Sequence, residues 1–327
     1  MTVAVGRLRS MGLAKESTLG TIIQTPTRYL NFIPPDSFFP SIEPLPSKGI
    51  EALADMFPKI TPGPATLNGM KLKLEMEPEN IGEILQALTG LDTKTGPTDT
   101  TAYTHTFARQ AVGILPTYSF WFDKNPKYPL FGGCMLSKMD ISAKAKGIVE
   151  LDTEWDGIAY DDSDGTSKSP TYSALVPFCF QNVTVNIDGS PVVGYDNLKI
   201  SFNNMVKADH VLESTDAYPK KIYSEGYEVQ VSADLFFEDT TQYAKFIAGT
   251  TAHFNIVFTS PQLITGAAST KYSLTVDLPL VYYKSANLTI PTNGVLKVPF
   301  VGLCKYSFSG SVYTAQLTLV NGVSTQY

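Results

Sequence analysis

One order of elements is written twice along this chain. Met70-Lys71-Leu72-Lys73-Leu74-Glu75-Met76 alternates apolar with charged residues, as a strand with one buried face must. It leads through Glu77-Pro78 into Ile81, Ile84, Leu85 and Leu88 at helical spacing, with Pro78 suited to a first helical turn and Gly90 to a stop. The order returns at Tyr227-Glu228-Val229-Gln230-Val231-Ser232-Ala233-Asp234-Leu235. A second helical pattern follows, with Asp239 as cap, Tyr243, Phe246 and Ile247 as apolar face, and Gly249 as stop. Each half then carries a Phe-Gly-Cys cluster, Phe131-Gly132-Gly133-Cys134 and Phe300-Val301-Gly302-Leu303-Cys304, each followed by a pair of strand-like runs. Irregular stretches, 34–68 and 204–225, precede the two alternating strands. The duplication predicts two tandem β-rich domains, 1–160 and 171–327, joined by the polar, turn-rich linker 161–170.

The bulk numbers agree with a folded β protein. At 327 residues the chain is long enough for two cores, and 43% apolar with 17% charged residues excludes disorder as a whole-chain description. The aromatics are almost all Phe (18) and Tyr (17), which favour strands. A net charge of -6 argues against non-specific capture of nucleic acid, which needs clustered Lys and Arg. Residues 1–18 read as an arm, with Arg7 and Arg9 interrupting any secretory apolar run, so synthesis in a cytoplasm is expected. No run approaches the ~20 apolar residues of a membrane-spanning helix, so no membrane partner is expected.

Strand pairing is most legible at 138–156. Met139, Ile141, Ala143 and Ala145 alternate with Lys138, Asp140, Ser142 and Lys144, and Val149, Leu151, Thr153 and Trp155 alternate with Glu150, Asp152, Glu154 and Asp156. A short turn at Lys146-Gly147-Ile148 would set Ala143 opposite Leu151, Met139 opposite Trp155, Lys144 opposite Glu150 and Lys138 opposite Asp156, at the cost of Asp140 against Glu154. Val183–Ile187 followed by Asp188-Gly189 predicts a second hairpin. Further strand runs are Leu198–Phe202, 253–258, 272–283 and 296–319. The stretch 34–68 is rich in Pro yet carries Phe38, Phe39, Ile42, Leu53, Met56 and Phe57, too apolar for a solvated linker. Packing against a neighbouring subunit is expected of it.

A search for chemistry is negative. His105, His210 and His253 stand apart with no metal spacing, and the three cysteines Cys134, Cys179 and Cys304 form no CxxC and read as buried thiols. Asp161-Asp162-Ser163-Asp164-Gly165 fails as a calcium loop, because the twelfth residue from Asp161 is Tyr172 rather than Glu. Glu150, Asp152 and Glu154 could be imagined as glycosidase carboxylates, but a charged sheet face explains them better. No phosphate-binding or nucleophile-elbow motif is present, and no catalytic residue or cofactor is predicted.

Several segments resemble the tail tube proteins (major tail proteins) of bacteriophages with long non-contractile tails. They are Gly12-Leu13-Ala14-Lys15-Glu16-Ser17-Thr18-Leu19-Gly20-Thr21 with Pro26-Thr27-Arg28-Tyr29-Leu30, and Glu77-Pro78-Glu79-Asn80-Ile81-Gly82-Glu83-Ile84-Leu85-Gln86-Ala87-Leu88-Thr89-Gly90. Tyr103–Phe107, Leu115-Pro116 and Phe131–Cys134 with the 138–156 hairpin continue the resemblance, and Phe178–Asp188 and 227–249 extend it less specifically. The resemblance implies a mainly β chain of two tandem β-sandwich or β-barrel domains, each with one short flanking helix. It implies a virion protein that joins itself into rings stacked as a hollow tail tube, the conduit for DNA ejection. Its partners would be itself (a trimer of pseudo-hexameric symmetry), tape-measure, tail terminator and tip proteins, and DNA that passes without specific binding. An acidic lumen would fit the net charge. Lumen or inter-subunit candidates are Lys138, Lys144, Glu150, Asp152, Glu154, Glu228 and Asp234. Inter-ring loop candidates are Phe38, Phe39, Met56, Phe57, Tyr218 and Tyr223. The competing expectation is a β-sandwich tail-tip or adhesin-type binding module, which would not polymerise.

Overall fold

A computed structural model describes residues 9–47, 59–109, 115–162, 166–212, 216–237, 240–286, 295–310 and 313–327, and it is mainly β. The first repeat opens with β1 (Met11–Lys15), β2 (Arg28–Tyr29), β3 (Phe32–Ile33) and β4 (Ser41–Ile42). A ribbon of β5 (Leu45–Pro46) and β6 (Ile60–Thr61) precedes β7 (Ala65–Glu75) and the helix α1 (Gly82–Thr89). The hairpin β8 (Asp92–Asp99) and β9 (Ala102–Ala108) follows, then β10 (Tyr118–Phe122), β11 (Leu130–Lys144), β12 (Glu150–Gly157) and β13 (Ala159–Asp161).

The second repeat begins with β14 (Val183–Ile187), β15 (Ser190–Pro191) and β16 (Tyr195–Asn203). A ribbon of β17 (Val206–Asp209) and β18 (Lys221–Ser224) precedes β19 (Glu228–Phe236) and the helix α2 (Thr241–Ala248). The chain closes with β20 (Thr251–Leu263), β21 (Lys271–Ala286), β22 (Lys297–Cys304) and β23 (Gln316–Asn321).

Strand pairing makes the duplication explicit. In the first repeat one layer runs β2, β1, β10, β11, β13, and in the second the layer runs β15, β14, β20, β21, β23. The other layer runs β7, β12, β11 in the first and β19, β22, β21 in the second. In both, one long strand (β11, β21) serves both layers and so folds the sheet over its own core. Both helices stop where Gly90 and Gly249 adopt φ of 87° and 64°, conformations that other residues reach at a cost.

The repeats are also stitched to each other. β16 pairs with β19 of its own repeat and, on its other edge, with β11 of the first. β23 adds to the β8–β9 hairpin, an insertion of the first repeat without a second-repeat counterpart. One apolar cluster accordingly runs from Met11 to Tyr327. At the seam Asn204, fully buried, donates through Nδ2 to the Leu88 and Leu136 carbonyls at 3.1 and 2.9 Å and accepts from Arg109 at 3.0 Å.

Several expectations need correction. Residues 11–15 are not part of an arm: β1 lies between β2 and β10 with Met11 through Ala14 buried. Pro78 precedes the helix rather than opening it, and the run 296–319 is two strands, β22 and β23, that sit in different layers. The Phe-Gly-Cys clusters are not equivalent, because Phe131–Cys134 lies in β11 and Phe300–Cys304 in β22, the counterpart of β12. Residues 34–68 and 204–225 are not wholly irregular, since each contains a two-stranded ribbon. Asp239 lies outside the described residues.

The 138–156 hairpin pairs two residues out of the expected register. Ser142 faces Glu150, Ile141 faces Leu151, Asp140 faces Asp152 and Lys138 faces Glu154, and a bulge beyond Lys138 brings Leu136 opposite Trp155. The turn is wider because Val149 leaves β11 to donate to the Phe178 carbonyl while its own carbonyl accepts from Met76. β16 pairs along the opposite edge of β11, where Ala143 and Lys144 face Leu198 and Asn197. The second hairpin turns at Asp188-Gly189 as expected.

Candidate assembly surfaces

Antiparallel pairing places β7, β12, β11, β16, β19 and β22 side by side in one sheet across both repeats. Period-two alternation sends Leu72, Leu151, Ile141, Ile200, Val231 and Phe300 into the core. The opposite face is polar from β7 to β19, whereas on β22 it carries Pro299, Val301 and Leu303 beside Lys297. It carries every strand residue predicted for a lumen or inter-subunit surface: Lys138, Lys144, Glu150, Asp152, Glu154, Glu228 and Asp234.

This face is nearly balanced. Glu75, Asp140, Glu150, Asp152, Glu154, Asp196, Glu228 and Asp234 stand against Lys71, Lys73, Lys138, Lys144, Lys199 and Lys297, eight carboxylates to six ammoniums, a net of −2. Lys73 pairs with Glu150 at 2.7 Å, Lys199 with Asp140 at 2.8 Å and Lys138 with Glu154 at 3.5 Å. Such half-exposed pairs add only about 0–1 kcal/mol each to stability, so their main effect is on the field above the sheet. The excess of carboxylates on this face is small, because most of its charges are paired across strands.

Asp152 sits opposite Asp140, and burial pushes its carboxyl pKa up despite the opposing pull of Lys73. A raised native pKa gives stability that is complete below the unfolded value and is lost as pH rises through the native one. Asp152→Asn therefore raises the melting temperature at pH 7 and leaves it unchanged at pH 3. Scanning calorimetry at constant ionic strength checks this, and a lower melting temperature at pH 7 would show that attraction to Lys73 outweighs burial.

The two ends of the six-stranded sheet differ. At the β7 end the outer edge is taken, among the described residues, by β3 and β4, two residues each, and between them by Ser37, which donates its N–H to the Lys71 carbonyl at 3.2 Å and accepts the Lys71 N–H. At the other end β22 pairs with β21, and β20 pairs with β21 only as far as Thr251 opposite Tyr282. Beyond that point, among the described residues, no strand pairs with the second edge of Tyr283–Ala286.

The loop candidates divide. Phe38 is not a surface residue: at 1% exposure it packs in the first repeat with ring centroids 4.9, 4.9 and 5.4 Å from Phe120, Phe122 and Phe131. Phe39 beside it points outward. Tyr218 packs within the chain, 6.3 Å from Tyr160, and Tyr223 donates its hydroxyl to Asp209 at 2.7 Å. Met56 and Phe57 lie outside the described residues. The sequence reading also buried Ile247 on α2, whereas it is exposed.

The histidines act as struts. His105, fully buried, sets Nδ1 2.9 Å from Asp92 Oδ2 and Nε2 2.9 Å from the Val323 carbonyl, so both ring nitrogens are occupied. Among the described residues no group of three His, Cys, Asp or Glu side chains is placed to hold a metal, and no helix is long and apolar enough to cross a membrane. Burial pushes the Cys134 thiol well up and that of Cys304 up to about 12, the opposite of an activated nucleophile.

Compared with known protein families, residues 6–302 match the family described as phage tail tube protein. No curated protein matches the chain.

Proposed function

We propose, since this chain belongs to the phage tail tube protein family, that three copies of it close into a ring in which each repeat acts as one tube unit. The chain is a structural protein of the tail tube, and its place is the virion. Rings stacked on one another would form the hollow conduit through which DNA is ejected. The observation that carries this reading is the use of β16 inside the chain. It bridges β19 of one repeat to the free edge of β11 of the other.

The counterpart of that β11 edge is the edge of β21 left unpaired among the described residues, and the counterpart of the β16 slot is the edge of β7 lined by the short strands β3 and β4. Joining β21 of one chain to the β7 side of the next would repeat between chains the junction already made within each. Two repeats per chain and three chains give six quasi-equivalent units, a closed symmetry in which both ends of this sheet would find a partner.

In such a ring the polar face running from β7 to β19 would line the bore. Four of the six lysines, Lys73, Lys138, Lys199 and Lys297, are committed to carboxylates, so little cationic surface remains to release counterions from passing phosphates. DNA would slide rather than bind. Tape-measure protein inside the tube, terminator and tip proteins at its ends, and synthesis in the host cytoplasm complete the proposal. Electron microscopy of tubes grown from the purified chain tests it. Three chains per ring with this face toward the bore are expected; six chains per ring, or this face outside, would overturn it.

A further inference from the structure

The junction inside the chain and the two edges left for a junction between chains correspond row by row. Lys71 stands 19 residues before the helix stop Gly90, and Gln230 stands 19 residues before Gly249. Lys71 faces Glu154 and Gln230 faces Leu303. β22 therefore carries Leu303, Val301 and Pro299 where β12 carries Glu154, Asp152 and Glu150. On the next strand Tyr282 faces Leu303 as Lys138 faces Glu154, and Ser285 faces Val301 as Asp140 faces Asp152.

The far side of the junction differs in the same sense. Within the chain β16 supplies Lys199, opposite Ser232, and its ammonium pairs with Asp140 at 2.8 Å. Beside β7 the equivalent place is held by Ile33, opposite Lys73. Asn203, which faces Lys138, lies two residues beyond Ser201, the partner of Gln230. Phe39 likewise lies two residues beyond Ser37, the partner of Lys71. Phe38 is buried and Phe39 is 62% exposed, so alternation sets Phe39 on the outer face of the sheet with Lys71.

Both sides have thus changed together. Inside the chain Lys199 meets Asp140 and Lys138 meets Glu154. At the outer edges Ile33 and Ser285 stand for the first pair, and Leu303 with Tyr282, 42% exposed, for the second. Replacing one member of an ion pair strands its partner, whereas replacing both leaves an apolar contact. Phe39 and Ile33 lie beside β7, at the opposite end of the sheet from Tyr282 and Leu303, so one chain does not bring them together.

We propose that Phe39 of one chain packs against Tyr282 and Leu303 of a second copy in the same ring. The contact would close the junction between chains with apolar side chains where ion pairs close the junction within each. Thr251 takes the backbone edge of Tyr282, so Phe39 reaches that residue by side-chain contact beyond the paired part of the edge. The proposal rests on the ring reading above and adds which side chains meet. It assigns Phe39 to the neighbour within the ring rather than to the next ring. The two junctions then differ in chemistry, which keeps the β7 edge of a second copy from displacing β16 on β11.

Phe39→Cys with Tyr282→Cys, allowed to form tubes and then oxidised, tests the contact. After dissolution in detergent a disulfide ladder that ends at three chains is expected, with neither single variant linking. Tubes that form without linking, or a ladder running past three chains, overturn the contact and leave the ring intact; failure of the unaltered chain to form rings overturns both. Phe39→Lys alone and Tyr282→Glu alone should each lower ring yield about tenfold through one unpaired charge in the contact, while the monomer keeps its melting temperature. Combined, the two substitutions restore the yield. Single variants that assemble at the unaltered yield, or a double variant no better than either single, would likewise overturn the contact.

Discussion

Glu16→Ala lowers the unfolding free energy by about 3–5 kcal/mol, the sum expected when several buried donors lose one acceptor at about 1–3 kcal/mol each. The Glu16 carboxylate is buried at the end of β1. It accepts from the Gly133 and Gly20 N–H groups at 2.8 and 3.0 Å and from the Ser119 and Thr117 hydroxyls at 2.7 and 2.9 Å. One side chain thus fixes the turn after β1, the start of β10 and the point where β11 passes between layers. The hydroxyls can rotate to other acceptors, but the two N–H groups cannot. Glu16→Gln keeps the shape and one oxygen but turns an amide NH₂ toward donors, so it recovers only part of the loss. Urea unfolding at pH 7 measures both variants; a loss below about 1 kcal/mol for Glu16→Ala would mean that water satisfies the cage.

Phe38→Ala costs about 3–5 kcal/mol, the usual range for emptying a buried aromatic site, whereas Phe39→Ala next to it stays within about 0.5 kcal/mol. Phe38 fills the space between Phe120, Phe122 and Phe131. It also pins the chain just before β4 and the β5–β6 ribbon. Loss of Phe38 should therefore lower ring yield as well as monomer stability, whereas Phe39→Ala leaves the monomer unchanged. Equal destabilisation by the two variants would show that the packing around Phe38 collapses to fill its place.

These two residues show what a sequence can and cannot carry. Alternation was readable wherever a strand has one wet face, as in β7, β12 and β19. β1 has no wet face, so its pattern vanishes and it reads as an arm. Phe38 and Phe39 lie in irregular chain, where no period tells inward from outward. The β11–β12 register depended on distant partners, since the Ala145 N–H donates to the Asp196 carbonyl and Val149 bonds Phe178 and Met76 rather than closing a local hairpin. The polar face assembled as its alternation implied, but its charge balance did not follow from the net charge. Lysines of β7, β11 and β16 meet carboxylates of β11 and β12, and that cross-strand arithmetic exists only after folding.

The stitching of β16 and β23 into the first half has a consequence for biosynthesis. A ribosome delivers β9 and β11 well before residues 195–203 and 316–321, which complete their edges. The leading half of a nascent chain therefore emerges with two incomplete sheets, and its mate is the remainder of the same polypeptide. Only a finished chain presents the paired edges from which the next subunit could be selected. In the proposed ring, completion of the chain would thus be the checkpoint that keeps half-made chains out of a growing tube.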